Sequence, residues 1–322
     1  MKVSVVLPYW LDRPALEAVD IARSAAAAGF EELWIGEMMT FDAFALAAAI
    51  VRETEQLRVV VGPLAIAVRT AASLALGITS VSELGGRRAD LALGASTPVV
   101  VRDWHGRSFD GAVERMRETV AALKPMLAGE KSSFDGRHVR TRGFRMTARA
   151  AHSTITVAAF GTKMLDLAAT VADRVVVNLV TTTQVARVKQ RIAAAAAAAG
   201  KPAPPLAVWL PAAIAPTPAA WEQLARQLVV YLAPKGYGEM FIDAGFGSIV
   251  EQARSGTHPR DLLRAMPREL VQAVGAIGSG DALRSRLAEY ARAGADEAGI
   301  VPVTAHDDAG RTLLRDLAGA NA

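Results

Sequence analysis

A repeated alternation of short apolar segments with longer amphipathic ones constrains the fold of this chain more than any other feature. Eight apolar segments have the length of buried strands, at 3–7, 33–36, 58–61, 90–94, 155–160, 174–178, 206–213 and 299–303. Segments with helical spacing of apolar residues lie between them, at 14–28, 44–54, 71–84, 111–127, 163–171, 184–199, 218–232 and 281–293, and a last one lies at 307–317. Strict alternation of this kind predicts parallel strands joined by helical crossovers.

Eight such repeats predict an α/β fold of the (β/α)8 TIM barrel type, with residues 1–322 in a single domain. The length and the 52% hydrophobic content suit a barrel, although length alone also allows two domains. A doubly wound open sheet is the alternative fold. That fold places a glycine-rich fingerprint after the first strand, where this chain has Pro8, Tyr9 and Trp10.

Two intervals, about 128–153 and 233–268, are longer than a barrel needs and predict insertions after strands 4 and 7. In the first, Asp135-Gly136 between residues that favour strands predicts a hairpin turn. The second contains Tyr237 and several glycines and predicts a helical insertion. Both are expected to form a lid or a pocket wall, and the hairpin is equally typical of an oligomer contact.

Composition and charge exclude several classes of protein. The chain has no cysteine, which excludes disulfides and thiolate sites and fits the reducing cytoplasm. Its net charge of +4 is spread along the chain, which argues against nucleic-acid binding. The apolar run at 3–7 is too short for a signal peptide, and no long uncharged apolar segment predicts a membrane span. We expect a cytoplasmic protein.

The predicted strand ends carry the candidate functional residues, because barrel enzymes place their reactive groups at the carboxyl ends of the strands. These residues are Tyr9, Trp10, Glu37, Met38, Met39, Gly62, Pro63, Leu64, Ala95, Ser96, Thr97, Gly161, Thr162, Lys163, Asn178 and Pro211. They include no paired carboxylates and no Ser-His-Asp order, and the five histidines have no ligand spacing, so no metal site is predicted. Small and apolar residues dominate, which favours a large cofactor that supplies its own reactivity.

Three strand ends offer polar groups to such a cofactor. Gly161, Thr162 and Lys163 open a helix, where backbone donors, a hydroxyl and an ammonium group suit a phosphate, although an ordinary helix cap has the same pattern. The small residues from Ala95 to Thr97 offer donors or form a simple loop. Glu37 ends an apolar strand, where it binds a cofactor edge or is merely a carboxylate on the barrel rim.

Six groups of short stretches occur in a characteristic order and spacing. They are 33–37 with 42–44, the third strand ending at 62, 83–88 with 91–94, 96–101 with 104–106, 159–165 with 172–173, and 245–247. Each is short on its own. Together they resemble the bacterial luciferase-like monooxygenase superfamily, and specifically its branch that uses the deazaflavin coenzyme F420.

This resemblance implies a barrel with a cis peptide bond in a bulge of strand three, against which the deazaflavin ring packs. It places that bond at Gly62-Pro63, where relatives have no proline, and we expect the bond to be cis. With the strand-end positions, it gives these expected cofactor contacts: Glu37, Gly62, Pro63, Leu64, Ala95, Ser96, Thr97, Gly161, Thr162, Lys163 and Asn178.

The resemblance breaks down at two positions. Relatives that oxidise a sugar phosphate have a histidine after the strand-two acid and a glutamate at the end of strand four, where this chain has Met38 and Thr97. Sugar-phosphate oxidation is therefore not expected. The proton donor or acceptor must be His105, Tyr9, Tyr237 or water, and our hypothesis is His105, a residue also typical of a solvent-facing loop. The expected substrate pocket contains Tyr9, Trp10, Met38, Met39, Trp104 and Tyr237.

The predicted function is hydride transfer between coenzyme F420 and a small or medium-sized apolar organic substrate. Two alternatives remain open, an FMN-dependent monooxygenase that uses reduced flavin and oxygen, and a flavin- or deazaflavin-binding protein without catalysis. The resemblance makes a homodimer the expected assembly. A flavin or deazaflavin reductase is the expected indirect partner.

Overall fold

The computed structural model describes residues 1–10, 12–37, 39–148 and 152–318. Its strands are β1 Lys2–Val6, β2 Glu32–Ile35, β3 Arg58–Ala65, β4 Asp90–Gly94, β5 Ser132–Asp135, β6 Arg140–Phe144, β7 Ile155–Ala158, β8 Arg174–Asn178, β9 Leu206–Ile214, β10 Ala276–Gly278 and β11 Glu297–Pro302. Its α-helices are α1 Glu17–Ala27, α2 Ala43–Glu53, α3 Ala71–Gly85, α4 Ala112–Leu127, α5 Thr162–Val171, α6 Thr182–Ala198, α7 Pro218–Leu232, α8 Tyr237–Asp243, α9 Gly247–Arg254, α10 Pro259–Ala265, α11 Arg268–Ala273, α12 Gly280–Arg292 and α13 Arg311–Ala318. A π-helix spans Val99–Trp104, and a 3-10 turn spans Asp308–Gly310.

All eight strands predicted from the sequence are present, as β1, β2, β3, β4, β7, β8, β9 and β11. Their ends differ from the predicted ends by a few residues. The largest difference is in β3, which continues through Pro63 to Ala65 because a bulge between Val61 and Leu64 lets its pairing with β4 resume. Gly62 and Pro63 therefore lie inside the third strand, where the sequence pattern had placed its end.

The chain divides into two compact units, and the first contains residues 31–176 and 191–205. Its parallel strands have the order β2-β3-β4-β7-β8. Ile35 pairs with Val61, Val61 with Leu91, and Leu91 with Ile155. These side chains are buried, as the continuous apolar runs of parallel strands require.

The second unit contains residues 1–30, 177–190 and 206–322. Its parallel strands have the order β10-β9-β11-β1. Val5 pairs with Ile300, which pairs in turn with Leu210. The short strand β10, which the sequence did not predict, pairs Ala276 with Ala212 near the carboxyl end of β9.

Side-chain caps explain where several helices begin. The Asp42 carboxylate accepts hydrogen bonds from the Phe44 and Ala45 backbone N–H groups at 2.9 and 3.1 Å, which fixes the start of α2. Thr70 caps α3 in the same way through Ser73, and Gly86 ends that helix with φ +63°. In the part of the chain that the structure describes, no helix has both the length and the apolar character needed to cross a bilayer.

Both predicted insertions are confirmed. Strands β5 and β6 form an antiparallel hairpin, whose turn begins after Asp135 and is closed by a 2.9 Å hydrogen bond from Gly136 N–H to the Val139 carbonyl. Backbone N–H groups of residues 137–139 donate to the Glu118 carboxylate of α4, at 2.7–2.8 Å. Desolvation raises the pKa of Glu118, but these three donors outweigh it and lower that pKa. The second insertion consists of α8, α9 and α10.

Candidate active site

The bulge of β3 lies at the carboxyl end of the first unit's strands. The Gly62–Pro63 peptide bond is cis, which confirms the prediction. Gly62 has φ +126°, and a Cβ atom at this position would lie 2.1 Å from the Ala92 carbonyl oxygen of β4. Because any side chain would clash with that backbone, only glycine fits here.

Three neighbouring strands present only small side chains beside this bulge. A Cβ atom on Gly94 of β4 would lie 3.1 Å from Pro63 Cβ on β3 and 3.8 Å from Ala158 Cβ on β7. Pro63 and Ala158 are partly exposed, whereas the Leu64 side chain is fully buried in the core. We call Pro63, Gly94 and Ala158 the small-residue floor. Its shape suits the face of a flat ring.

The segment after β4 joins this floor to the π-helix. Ala95 is partly exposed, and Ser96 is exposed with φ +63°. The Thr97 hydroxyl accepts a hydrogen bond at 3.4 Å from the N–H group of Val100, the second residue of the π-helix. Helices of the π type are rare, and those that do form are often found at functional sites.

Trp104 and His105 lie at the end of that π-helix. The Trp104 side chain is 47% exposed, and His105 is the exposed residue that terminates the helix. Neither side chain is held in the core of the unit. Both are therefore accessible to a small molecule from solvent.

Gly161, Thr162 and Lys163 are exposed at the beginning of α5. No side chain caps this helix, and a Cβ on Gly161 would have no atom within 4 Å. The Met164 N–H group already donates to the Gly161 carbonyl at 3.0 Å, so the Thr162 and Lys163 backbone N–H groups are the ones left for a ligand, beside the exposed Thr162 and Lys163 side chains. This arrangement is suited to a phosphate.

Glu37 is held by a cation that the sequence pattern did not reveal. The Arg69 guanidinium donates to both Glu37 oxygens, with Nε 3.1 Å from Oε2, and it also binds Asp42. Desolvation lowers the pKa of Arg69, but its hydrogen bonds to the two carboxylates raise that pKa overall. The same guanidinium lies 5.1 Å from the centre of the Phe44 ring. Glu37 is thus part of a fixed ionic cluster at the end of β2.

Five predicted site residues belong to the second unit, and one of them, Pro211, is buried within β9. Trp10 is buried and its Nε1–H donates to the Pro302 carbonyl at 2.9 Å, while Tyr9 is partly buried. The Asn178 amide donates to the Tyr237 hydroxyl at 3.3 Å. Burial, with Tyr231 close by, raises the pKa of Tyr237 far above its usual range, although the bond from Asn178 lowers it slightly. Tyr237 therefore stays protonated at neutral pH.

The structure brings some predicted residues together within each unit. In the first unit, Pro63 lies beside the strand that leads to Ala95, Ser96 and Thr97, and the next strand leads to Gly161. In the second unit, Asn178 contacts Tyr237. Met39 is 56% exposed after β2, and Met38 lies outside the described residues.

Two relevant residues were missed by reasoning from the sequence. Arg69 stands 32 positions after Glu37, so only the pairing of β2 with β3 brings them together. Gly94 ends an apolar strand, and its role in the floor depends on the register of β3 against β4. Among the described residues, no group of three His, Asp or Glu side chains is placed to hold a metal ion.

Comparison with known protein families gives a match over most of the chain. The family described as luciferase-like monooxygenase matches residues 1–297. A 5,10-methylenetetrahydromethanopterin reductase from Methanolobus tindarius is 31% identical over 166 residues, which are 51% of this chain and 51% of the relative. The chain thus matches about half the length of this curated relative.

Two solved structures are similar over nearly the whole chain. The coenzyme F420-dependent tetrahydromethanopterin reductase from Methanopyrus kandleri has a TM-score of 0.83 at 17% identity, over 99% of this chain and 98% of that one. The oxygenating constituent of 3,6-diketocamphane monooxygenase from Pseudomonas putida, bound to FMN, has a TM-score of 0.70 at 19% identity, over 99% and 97%. These similarities show the fold and confirm the predicted (β/α)8 TIM barrel.

Proposed function

The chain belongs to the luciferase-like monooxygenase family, and we propose that it is an oxidoreductase that uses coenzyme F420. In this proposal a hydride passes between the deazaflavin and a small or medium-sized apolar organic substrate. The F420-dependent reductase has the higher TM-score of the two solved structures, 0.83 against 0.70 for the FMN-bound monooxygenase. The stretches of this chain that resemble the F420 branch of the family favour F420 over FMN.

The observation that carries the proposal is the small-residue floor beside the β3 bulge. Pro63, Gly94 and Ala158 place only small side chains at the ends of three adjacent strands, and a Cβ on Gly94 would already lie 3.1 Å from Pro63 Cβ. A flat ring needs such a surface, and a small substrate alone does not. The residues present therefore fit a deazaflavin or a flavin.

Further along the same edge, residues suited to an anion begin α5. We assign the cofactor phosphate to the backbone N–H groups after Gly161, the Thr162 hydroxyl and the Lys163 ammonium group. Ala95, Ser96 and Thr97 are assigned to the ring edge, as is Glu37 through its cluster with Arg69. The cofactor itself supplies the hydride chemistry, and the protein supplies shape and orientation.

Proton transfer is assigned to His105. Tyr237 has a raised pKa and stays protonated, so it is a poor general base. His105 is exposed at the end of the π-helix, beside Trp104. An accessible imidazole next to an aromatic surface suits a group that exchanges a proton with a small substrate.

The proposed substrate is apolar and carries no phosphate. Met39 and Trp104 are both exposed and apolar, and Thr97 stands where relatives that oxidise sugar phosphates have a carboxylate. Its hydroxyl accepts a hydrogen bond from Val100 N–H and carries no charge at neutral pH. Alcohols, ketones and other uncharged carbonyl compounds fit these residues best.

A binding titration tests the proposal. The purified chain is titrated with F420 and, separately, with FMN, and binding is followed by the absorbance of each ring. We expect saturable binding of F420 and much weaker binding of FMN. FMN binding that is tighter than F420 binding supports the monooxygenase alternative, which the FMN-bound neighbour favours. F420 binding without turnover on a panel of alcohols and ketones supports a binding protein without catalysis.

The assembly and location of the protein form a further proposal. We propose that residues 1–322 form one domain, that the chain is a homodimer, and that it works in the cytoplasm beside a reductase that regenerates its cofactor. The similarity over 99% of the chain supports the single domain, and the lack of cysteine suits a reducing compartment. Light scattering on the purified protein measures the oligomeric state directly.

A further inference from the structure

A groove of about 500 Å³ lies on the second unit, among helices α7, α10 and α11. Four arginines line it, and they come from all three helices: Arg226, Arg260, Arg264 and Arg268. Glu222 is the one carboxylate in its lining. The groove therefore has a strong excess of positive charge, which attracts anions.

Two of these arginines have no carboxylate partner among the described residues. Arg226 pairs with Glu222 one helical turn away, and Arg264 lies 3.6 Å from the exposed Asp261. Arg260 and Arg268 form no ion pair in the described structure. Their guanidinium groups are exposed and remain able to bind phosphate or carboxylate oxygens in the forked geometry typical of arginine.

The floor of the groove is apolar and partly aromatic. The Trp221 indole lies below the Arg268 guanidinium, whose central carbon is 5.0 Å from the ring centre. Met266 and Val271 are buried at the base of the groove. An indole beside unpaired guanidinium groups is suited to a ligand with both a flat ring and negative charge.

We propose that this groove binds a flat organic anion that carries two or more phosphate or carboxylate groups. The ring of the ligand lies against Trp221, and its anionic groups meet Arg260 and Arg268. The residues concerned are separate from those assigned to the deazaflavin. Binding in the groove therefore does not depend on the proposed oxidoreductase function.

Calorimetry with defined probes tests this site on the full chain. The probes are adenosine diphosphate, benzene-1,3,5-tricarboxylate, inorganic pyrophosphate and uncharged adenosine. We expect one bound adenosine diphosphate or tricarboxylate per chain at low salt, weaker binding of pyrophosphate and none of adenosine. Whichever of the two flat anions has the lower Kd shows whether the groove prefers phosphate or carboxylate groups.

Paired variants locate the binding. The double variant Arg260→Ala and Arg268→Ala should raise the Kd of the flat anions about tenfold or more, because two charged hydrogen-bond donors are lost. Trp221→Leu should raise the Kd for adenosine diphosphate about fivefold or more and leave the Kd for pyrophosphate unchanged. The matched control, Arg292→Ala with Arg311→Ala, removes two exposed arginines outside the groove and should leave every Kd unchanged.

Three results would overturn the proposal. They are the absence of binding by both flat anions, equal weakening in the groove and control variants, and loss of binding in Lys163→Ala, which would place the anion at α5. Thermal melts of all variants show whether they are folded. Because the substituted arginines are exposed, we expect their melting temperatures to match that of the parent chain.

Discussion

The two ends of the parallel strands in the first unit differ in how their polar groups are used. At the amino end, the fully buried Glu32 carboxylate accepts hydrogen bonds from Arg174 at 2.7 Å and from Arg58 Nε at 3.0 Å. Asp90 is also buried, and its carboxylate binds Arg88 at 2.8 Å. Each of these two buried carboxylates at the amino end therefore has a positively charged partner in the same unit.

At the carboxyl end, small residues and the uncapped N–H groups at the start of α5 stand in place of such ion pairs. Pro63, Gly94 and Ala158 have only small side chains, and no side chain caps the first N–H groups of α5. The buried ion pairs stabilise one end of these strands, and the other end is where we propose that the cofactor binds. Barrel enzymes in general divide stability and activity between the two ends in this way.

Removing the charge of Glu32 tests the stabilising end and should give the largest effect. Glu32→Gln removes the buried carboxylate that Arg58 and Arg174 share, although Arg58 keeps Asp90 at 3.5 Å, and should lower the free energy of unfolding by about 3 kcal/mol. Urea denaturation measures this change, and Glu83→Gln on the exposed face of α3 is the control. An unchanged urea midpoint would show that this ion-pair network does not stabilise the unit.

Replacing His105 tests the proton-transfer assignment at the opposite end. His105→Gln should lower kcat about a hundredfold while the free energy of unfolding stays the same, because the side chain is exposed. The assay uses the first alcohol or ketone that the parent enzyme converts. Asp103→Asn, on the same π-helix, is the control. Equal kcat values for the parent and His105→Gln would assign the proton transfer to another group or to water.

The hydroxyl of Thr97 offers a smaller test of the same end. Thr97→Ala removes the acceptor for Val100 N–H and should lower the free energy of unfolding by about 0.5–1 kcal/mol. Thr97→Ser keeps the hydroxyl and should retain the stability of the parent. Urea denaturation measures both changes, and equal urea midpoints for Thr97→Ala and the parent would show that this hydrogen bond does not stabilise the chain.

The sequence predicted the strands well because buried parallel strands are continuous apolar runs between recognisable helices. It also predicted the cis bond at Gly62-Pro63 through the family resemblance. It could not show that Arg69 binds Glu37, because that contact depends on strands far apart in the chain. The floor at Gly94 was missed for a similar reason, since it depends on a bulge that shifts the register of β3 against β4.

The most direct test of the ligand-binding end is an F420 titration of Gly94→Ala beside the parent chain. The added methyl group would lie 3.1 Å from Pro63 Cβ and fill the small-residue floor. The control is Gly247→Ala, where the added Cβ has only ordinary contacts at 3.9 Å. We expect the Kd for F420 to rise about tenfold in Gly94→Ala and to stay unchanged in the control. Equal F420 affinity in the parent and in a folded Gly94→Ala variant would contradict binding of the ring at this floor.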